Sequence, residues 1–363
     1  MTSLDVYLGY TMRFVIYSRH RLCSKMSLPK KEFVDVSTLV RIHVVAIVLH
    51  IASGGLGLYF IQDGNPNVDV SAPLFEYVMN PGPGESYFRP TPKVIFSVAI
   101  LTPLVVVEFI TAFFHIIYIA ALIFPGVDSF LRRWILDSPS TNPLRWIEYG
   151  ITATMLASFG NLAIGIIDFY VFVRNVFCGI TLQGLGYMIE LLGPYRLNSQ
   201  MPAVKIYRGL YYFQGLLNNL PFVGILLYQT FASTTHGAFN IFLENTFPLA
   251  IWYNTFGVIC QMSFYEWRQF VDPKFTEKWY IILSVSTKIT IFWAEFATFK
   301  KITEDNGVVP SSGIDWDLVR YLSLSVPAGT VLCTAIYDAM AWKQIKGGDM
   351  VTYAFYYSRS LFS

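Results

Sequence analysis

The chain has 363 residues, of which 54% are hydrophobic and only 14% are charged, and its mean hydropathy is +0.47. Soluble domains carry about 25% charged residues, and a chain of this length cannot bury so much apolar surface in water. The net charge of +2 is too small to indicate a nucleic-acid-binding protein. The composition therefore predicts an integral membrane protein in a lipid bilayer.

The four cysteines show no metal-site or disulfide-framework spacing, so we expect free thiols. The first 37 residues mix basic and apolar residues without an apolar core or cleavage site, which argues against a signal peptide. We expect residues 1–37 to form a cytoplasmic segment and residues 38–300 to form a seven-helix domain. An outer loop, an eighth helix and a cytoplasmic tail are expected over 301–363.

Apolar runs of about 20 residues, enough to cross about 30 Å of hydrocarbon, predict an all-α membrane bundle of seven helices plus an eighth. Pro143 behind Asn142 suits the first helical position, and Pro92 and Pro248 are expected to begin helices similarly. The third and fourth spans must be antiparallel because they are joined tightly around Asp168. The predicted spans are Thr38–Ile61, Pro92–Phe124, Pro143–Ile167, Phe169–Leu192, Tyr207–Phe231, Pro248–Phe270, Thr276–Phe299 and Leu318–Trp342.

Lysine and arginine are concentrated on the side of the N-terminus, which predicts a cytoplasmic N-terminus and, with eight spans, a cytoplasmic C-terminus. We expect the plasma membrane as the location. The long loop Gln62–Thr91 is predicted to form a small extracellular cap. The eighth span is expected to pack through Ala328, Gly329 and Ala335.

Charged residues within the spans are the main functional signal, since each costs at least about 2.5–3.5 kcal/mol near the bilayer centre. Lys288 lies in the middle of the seventh span, too deep to reach either interface. It either pairs with a carboxylate for structure alone or is a desolvated amine that forms a Schiff base with a carbonyl ligand. Ser284, one turn earlier, lies on the same helix face.

A protonated Schiff base needs a negative partner, and Glu148 in the third span is the best candidate. The alternative is that Glu148 stabilises the dipole at the start of its helix. Aromatic residues are predicted to line an apolar ligand slot, although such residues more often serve ordinary packing. They are Trp146, Tyr149, Phe222, Tyr228, Trp252, Phe256, Tyr265 and Trp293.

The third span resembles that of the heliorhodopsins, retinal proteins whose membrane orientation is inverted relative to other microbial rhodopsins. Arg145-Trp146-Ile147-Glu148-Tyr149 is similar to the family's Arg-Trp-x-Glu-Tyr motif. In the seventh span, Ser284 precedes Lys288 by four residues and Trp293 follows it by five, again as in the family. The two motifs together are highly specific.

Further residues extend this resemblance over Thr38 to Phe299. His50 and His115 look like the family's first- and second-helix histidines. Glu190 falls where the fourth helix often ends in a carboxylate. Pro221 and Tyr228 fit the fifth-helix pattern.

The resemblance implies all-trans retinal bound covalently to Lys288 as a protonated Schiff base, Glu148 as counterion, Ser284 beside it, and a homodimer. It also implies a slow light sensor rather than a strong pump. The long N-terminal segment, the extended second-to-third loop, the eighth apolar segment and Glu108 depart from the family pattern.

The first functional hypothesis is a photosensor. Light would displace the Schiff-base proton, and His50 and His115 would form a proton-accepting cluster, the alternative being satisfied core histidines. A helix displacement would then be read by an unknown cytoplasmic signalling partner.

The second hypothesis is light-driven or light-gated ion movement, most simply of protons. Glu108 lies seven residues before His115, hence on the same helix face, and Glu190 and Glu295 extend a proton route to either side. Asp338 either pairs structurally with Arg174 or approaches the cytoplasmic interface. An enzyme is not expected, and no histidine or acid array has metal-site spacing.

Overall fold

The computed structural model describes residues 33–62, 64–65, 67–78, 87–124, 131–136, 142–163, 167–191, 209–210, 213–214, 247–264, 267–305, 307 and 312–347. Its helices are α1 (Val36–Ile61), α2 (Leu101–Ile123), α3 (Leu131–Leu136), α4 (Pro143–Ala163), α5 (Phe169–Leu191), α6 (Phe247–Phe264), α7 (Pro273–Asp305) and α8 (Trp316–Gly347). A 3-10 turn, Arg268–Val271, precedes α7. The antiparallel strands β1 (Asn67–Val78) and β2 (Tyr87–Ala99) form a hairpin between α1 and α2.

Four of the described helices are long and apolar enough to cross a membrane: α1, α2, α7 and residues Trp316–Met340 of α8. At 1.5 Å per residue, α4 and α5 have lengths of about 30–35 Å. Large apolar side chains such as Val48, Phe113, Phe177 and Leu332 lie exposed on the outer faces. Apolar outer faces on helices of this length are suited to lipid.

Capping residues fix several helix starts where the sequence predicts them. The Asp35 carboxylate accepts a hydrogen bond from the Thr38 backbone N–H at 2.7 Å. The Asp168 carboxylate accepts one from the Val171 N–H at 2.9 Å. Pro143 is the first residue of α4, as predicted. These side chains satisfy N–H groups that have no partner within their own helix.

The prediction that Pro92 begins the second helix is wrong. Pro92 lies in β2 opposite Pro73 of β1, and α2 begins only at Leu101. Both strands of a two-stranded sheet are edge strands, where proline is tolerated because its missing N–H need not face a partner. The predicted cap is therefore a hairpin longer than expected, and the Ser71 N–H donates to the Ile167 carbonyl at 2.9 Å beside α5.

Other predicted boundaries also shift. The sixth helix ends at Phe264 rather than Phe270, and both α7 and α8 are longer than the predicted spans. The predicted fifth span, with Pro221, Phe222 and Tyr228, lies almost entirely outside the described residues.

Helix α7 is the central element, since it packs against α1, α2, α4, α6 and α8. At its start, the Asp272 carboxylate accepts hydrogen bonds from the backbone N–H groups of Phe33 (2.6 Å) and Val34 (3.2 Å). Burial raises the pKa of the Asp272 carboxyl, against the lowering effect of these bonds and of one from Lys274. We call the end where α1, α4 and α7 begin the basal end and the opposite one the hairpin end.

Gly57 allows three helices to approach closely near the hairpin end. A Cβ at this position would lie 2.6 Å from a ring carbon of Phe292 on α7 and 2.8 Å from a methyl of Val105 on α2. Both neighbours are buried. A larger residue here would push α1 away from α2 and α7.

Helix α8 lies along α7 and continues through Pro327. The expectation that it packs through Ala328, Gly329 and Ala335 is wrong, because all three are exposed. The less exposed positions of α8 recur every three or four residues, which is the spacing of one helix face. The three small residues are offset from this face. The less exposed positions include Ser323, Leu324, Pro327, Val331, Thr334 and Asp338.

Two apolar clusters fill the bundle, one near each end. On α7, Phe275, Trp279, Tyr280, Ile281 and Leu283 belong to the basal cluster. Ile291, Phe292, Phe296 and Ala297 of the same helix belong to the hairpin-end cluster. Buried polar residues lie between the clusters, and we call them the central polar layer. They are His50, Glu108, Thr111, His115, Glu148, Thr152, Ser284, Thr287, Lys288 and Thr290.

Candidate functional site

The central polar layer contains a buried ion pair between α7 and α4. Lys288 Nζ lies 2.5 Å from Glu148 Oε1, and the two residues are only 3% and 2% exposed. Helical side chains lean towards the N-terminus of their helix, so Lys288 extends towards the basal end, where Glu148 lies in the second turn of α4. The geometry makes Glu148 a partner of Lys288 rather than only a helix-dipole residue.

The surroundings of the pair combine an aromatic ring with hydroxyl groups. Lys288 Nζ lies 5.3 Å from the centroid of the Tyr149 ring, and the Tyr149 hydroxyl donates to the Tyr280 carbonyl at 3.3 Å. Ser284 is buried one turn before Lys288, as predicted. The buried Thr287 hydroxyl has no hydrogen-bond partner among the described residues. The Lys288 amine therefore lies beside a carboxylate, in a site where the Thr287 hydroxyl can still form a hydrogen bond.

Histidines of α1 and α2 form the second part of the layer. The Nδ1 atoms of His43 and His115 lie 2.8 Å apart, so one ring donates its N–H and the other accepts. The His50 and His115 rings are stacked with centroids 5.7 Å apart. His50 and His115 thus lie together, and they are joined by His43, which sequence reasoning did not assign to the site. Its position seven residues before His50, on the same helix face, was the available signal.

Glu108 is explained by this histidine cluster. Its Oε2 atom lies 2.6 Å from His50 Nδ1, and both side chains are fully buried. Glu108 and His115 share one face of α2, as predicted, but the carboxylate bonds to His50 rather than to His115. A charged residue at this apolar position of α2 is therefore accommodated by a partner on α1.

An arginine with two carboxylates lies towards the basal end. Arg145 forms ion pairs with Glu190 of α5 and, at 2.7 Å, with Glu277 of α7. Its guanidinium lies 3.7 Å from the Tyr280 ring centroid. The predicted residue Trp146 donates to Glu190 at 2.7 Å. Sequence reasoning missed Glu277 because it lies in the first turns of α7, where an acid is unremarkable.

Polar and aromatic contacts connect the arginine group to the histidines. The Asn142 amide lies 3.3 Å from Glu277 and 3.5 Å from the Tyr118 hydroxyl. The Tyr118 ring is stacked on His43 with centroids 4.9 Å apart. A series of polar and aromatic side chains therefore runs from Glu190 near the basal end to Glu108 in the middle of the bundle.

The remaining predicted residues lie apart from this series. Glu295 lies against Gly160 of α4, and its Oε2 atom has no hydrogen-bond partner among the described residues. The Trp293 ring packs against Phe60 and Phe296 at the hairpin end. Phe222 lies outside the described residues.

The alternative pairing of Asp338 with Arg174 is wrong. Asp338 of α8 binds Lys278 of α7, with Nζ–O distances of 2.8 and 3.0 Å. Arg174 instead donates to the neighbouring Asn175. Lys278 is buried as well, so the pair lies inside the protein. Within the described ranges, no three His, Cys, Asp or Glu residues are arranged to hold a metal ion.

Long apolar helices around a buried layer of charged residues define an integral membrane protein of the helical-bundle class. The chain belongs to the heliorhodopsin family, whose model matches residues 39–299. The family is one of rhodopsin-type photoreceptors, so the protein is a retinal-binding photoreceptor. No curated protein matches the chain. Residues before 39, and all of α8, lie outside the family match.

Proposed function

We propose that Lys288 carries all-trans retinal as a protonated Schiff base and that Glu148 is its counterion. The observation that carries the proposal is the 2.5 Å contact between these two buried groups in the middle of the bundle. A buried amine beside one carboxylate suits a cationic Schiff base, because the opposite charge favours the protonated form. The Tyr149 ring lies 5.3 Å from Lys288 Nζ, and we propose that the buried Ser284, one turn earlier on α7, lies beside the attachment point.

The residues present fit an apolar aldehyde of this kind. Lys288 lies in the middle of α7 beside Glu148 of α4, and its Nζ is 5.3 Å from the Tyr149 ring centroid. Another buried lysine of α7, Lys278, is paired with Asp338 near the basal end. Thr287 and Thr290 offer hydroxyl oxygens without partners among the described residues. We retain Trp146, Phe222 and Trp293 as proposed pocket residues.

Retinal, when bound, supplies light absorption and a light-induced change of shape. The chain then controls the proton on Nζ through the distance between Lys288 and Glu148. Coulomb attraction falls as that distance grows, so displacement of Nζ weakens the hold on its proton. His50 and His115 are proposed to take up or relay the proton, because a neutral imidazole has one nitrogen that can accept.

Signalling in this proposal runs through a displacement of helices that a cytoplasmic partner reads. The basal end would face the cytoplasm of the plasma membrane, with both termini on that side. Residues 1–37 and 301–363 would flank a seven-helix domain over 38–300, and the protein would form a homodimer.

The test compares two lysines of one helix. We expect purified protein supplied with retinal to show a visible absorption band that Lys288→Arg abolishes. Arginine keeps the charge beside Glu148 but does not form a Schiff base with an aldehyde. Lys278→Arg is the matched control and keeps the band. A band of normal intensity in Lys288→Arg would overturn the proposal.

A second candidate function is light-driven or light-gated proton movement. The observation that favours it is the series of polar and aromatic side chains from Glu190 to Glu108, with two carboxylates on the single guanidinium of Arg145. Two carboxylates share one positive charge, and no further cation is among the contacts described for Glu190 and Glu277. One of the two carboxyl groups is therefore suited to hold a proton. Glu295 would extend the route towards the hairpin end.

Whole-cell voltage clamp under light, with retinal present and at two external pH values, tests this function. A photocurrent whose reversal potential follows the proton gradient, and which Glu108→Gln and Glu190→Gln abolish, would establish it. Glu304→Gln, at the hairpin end of α7 and away from this series, is the matched control. Silence with confirmed surface expression and a visible band would exclude conduction and leave the sensor.

A further inference from the structure

Helix α7 carries a further buried ion pair that the photoreceptor mechanism does not use. Lys278 Nζ lies 2.8 and 3.0 Å from the two carboxylate oxygens of Asp338, and the two residues are 2% and 3% exposed. Gln269 adds a hydrogen bond to the Asp338 carbonyl at 3.2 Å. The pair joins α7 to α8, a helix outside the family match.

The hairpin end of α8 is also attached to α7. The Trp316 indole donates to Glu304 at 2.8 Å, and its ring packs 6.1 Å from that of Phe296. Lys301 forms an ion pair with Asp317, but both side chains are about 40–50% exposed. Helix α8 is therefore held at both ends, and the buried charge pair lies at the basal end.

Lys278 and Lys288 connect α7 to two different helices. They are ten residues apart, which places them about 80° apart around α7. Lys288 reaches Glu148 on α4, whereas Lys278 reaches Asp338 on α8. A rigid displacement of α7 that changes the first pair must also act on the second.

We propose that α8 is the output element of this photoreceptor, and that Lys278 and Asp338 are the positioning residues that couple it to the retinal-bearing helix. This inference rests on the proposed attachment of retinal to Lys288. A movement of α7 draws Asp338 with it, because separating the two charges away from water is costly. The basal part of α8 and the chain that follows it then move with α7.

Light-minus-dark infrared difference spectroscopy on the full chain with retinal tests the coupling. We expect a carboxylate band that disappears in Asp338→Asn and persists in Asp317→Asn, a control that removes a half-exposed carboxylate of the same helix. A merely structural pair would give identical difference spectra in wild type and Asp338→Asn. Identical infrared spectra, with the visible retinal band intact, would overturn this inference alone. Loss of the visible band in Lys278→Arg but not in Lys288→Arg would instead overturn the proposed function.

A double variant, Lys278→Met with Asp338→Leu, covers the case in which Asp338→Asn does not fold. It removes both charges, so no unpaired buried charge remains. We expect a normal dark visible band, because Lys288 and Glu148 are unchanged, and a photocycle recovery rate altered at least about fivefold. A wild-type recovery rate in this variant would contradict the inference.

Discussion

The two halves of the polar interior accommodate buried polar side chains in different ways. Among α4, α5 and α7, the charges form opposite-sign pairs: Lys288 with Glu148, and Arg145 with Glu190 and Glu277. Between α1 and α2, the buried groups among the described residues include three histidines and the carboxylate of Glu108. The first half is built from pairs of opposite charge, and the second from imidazole rings that contact one another and one carboxylate.

This difference suggests a division of labour. Pairs of opposite charge in a low-dielectric interior hold helices together and, in the proposed function, a cationic chromophore, and removing one partner is costly. In the histidine half, His50 Nε2, His115 Nε2 and Glu108 Oε1 have no hydrogen-bond partner among the described residues. Such atoms leave capacity for a proton or a water molecule. The following variants test the two halves in order of decreasing expected effect.

Arg145→Leu is expected to have the largest effect, because it leaves two buried carboxylates without their cation. We expect a loss of about 3–5 kcal/mol in stability, seen as poor expression or as thermal loss of the visible band at a much lower temperature. Arg174→Leu, which removes an arginine bonded to its neighbour Asn175, is the control and should cost far less. Equal losses of stability in the two variants would show that the ion pairs of Arg145 contribute no more than the single hydrogen bond of Arg174.

Glu148→Gln is expected to change the pH dependence of the visible band. The negative charge favours the protonated Schiff base, so without it the proton should leave at a pH about 1–3 units lower. Spectrophotometric titration measures this shift. Glu295→Gln, a carboxylate on α7 that does not contact Lys288, should leave the titration unchanged. A shift in Glu295→Gln but not in Glu148→Gln would mean that Glu148 is not the counterion.

Glu108→Leu is expected to destabilise the histidine half by about 1–3 kcal/mol, since it leaves the buried His50 without its partner. Glu108→Gln retains a hydrogen-bond acceptor and should cost less. Thermal bleaching of the visible band compares the two variants. If both were as stable as the wild type, the 2.6 Å contact would contribute nothing to stability.

Asp317→Asn should have the smallest effect. Its ion pair with Lys301 is about 40–50% exposed, and such pairs contribute about 0–1 kcal/mol. Thermal bleaching at low and high salt should be nearly indistinguishable from that of the wild type. A large salt-sensitive loss would mean that the hairpin-end attachment of α8 matters more than the buried pair at the basal end.

Sequence patterns predicted the long apolar helices and the charged residues within them. Lys288 and Glu148 could be found because charges are costly in an apolar span, and Pro143 because it suits a helix start. The hairpin was not predicted, since Pro92 reads equally well as a helix start and as an edge-strand residue.

Partner choice between helices was the part that sequence could not supply. Asp338 was considered beside Arg174, yet it binds Lys278, because helix packing rather than hydropathy decides which faces meet. For the same reason Ala328 was assigned to the wrong face of α8. Glu277 was missed because acids are common in the first turns of a helix.

Borohydride reduction of the retinal-supplied protein, followed by peptide mass mapping, tests the central claim most directly. Reduction makes the Schiff-base bond permanent, so the mass of the retinyl group marks the lysine that carries it. We expect the label on the peptide that contains Lys288 and none on the peptide that contains Lys278. A label on Lys278, or on no lysine of α7 in protein that shows a visible band, would contradict the assignment of the site.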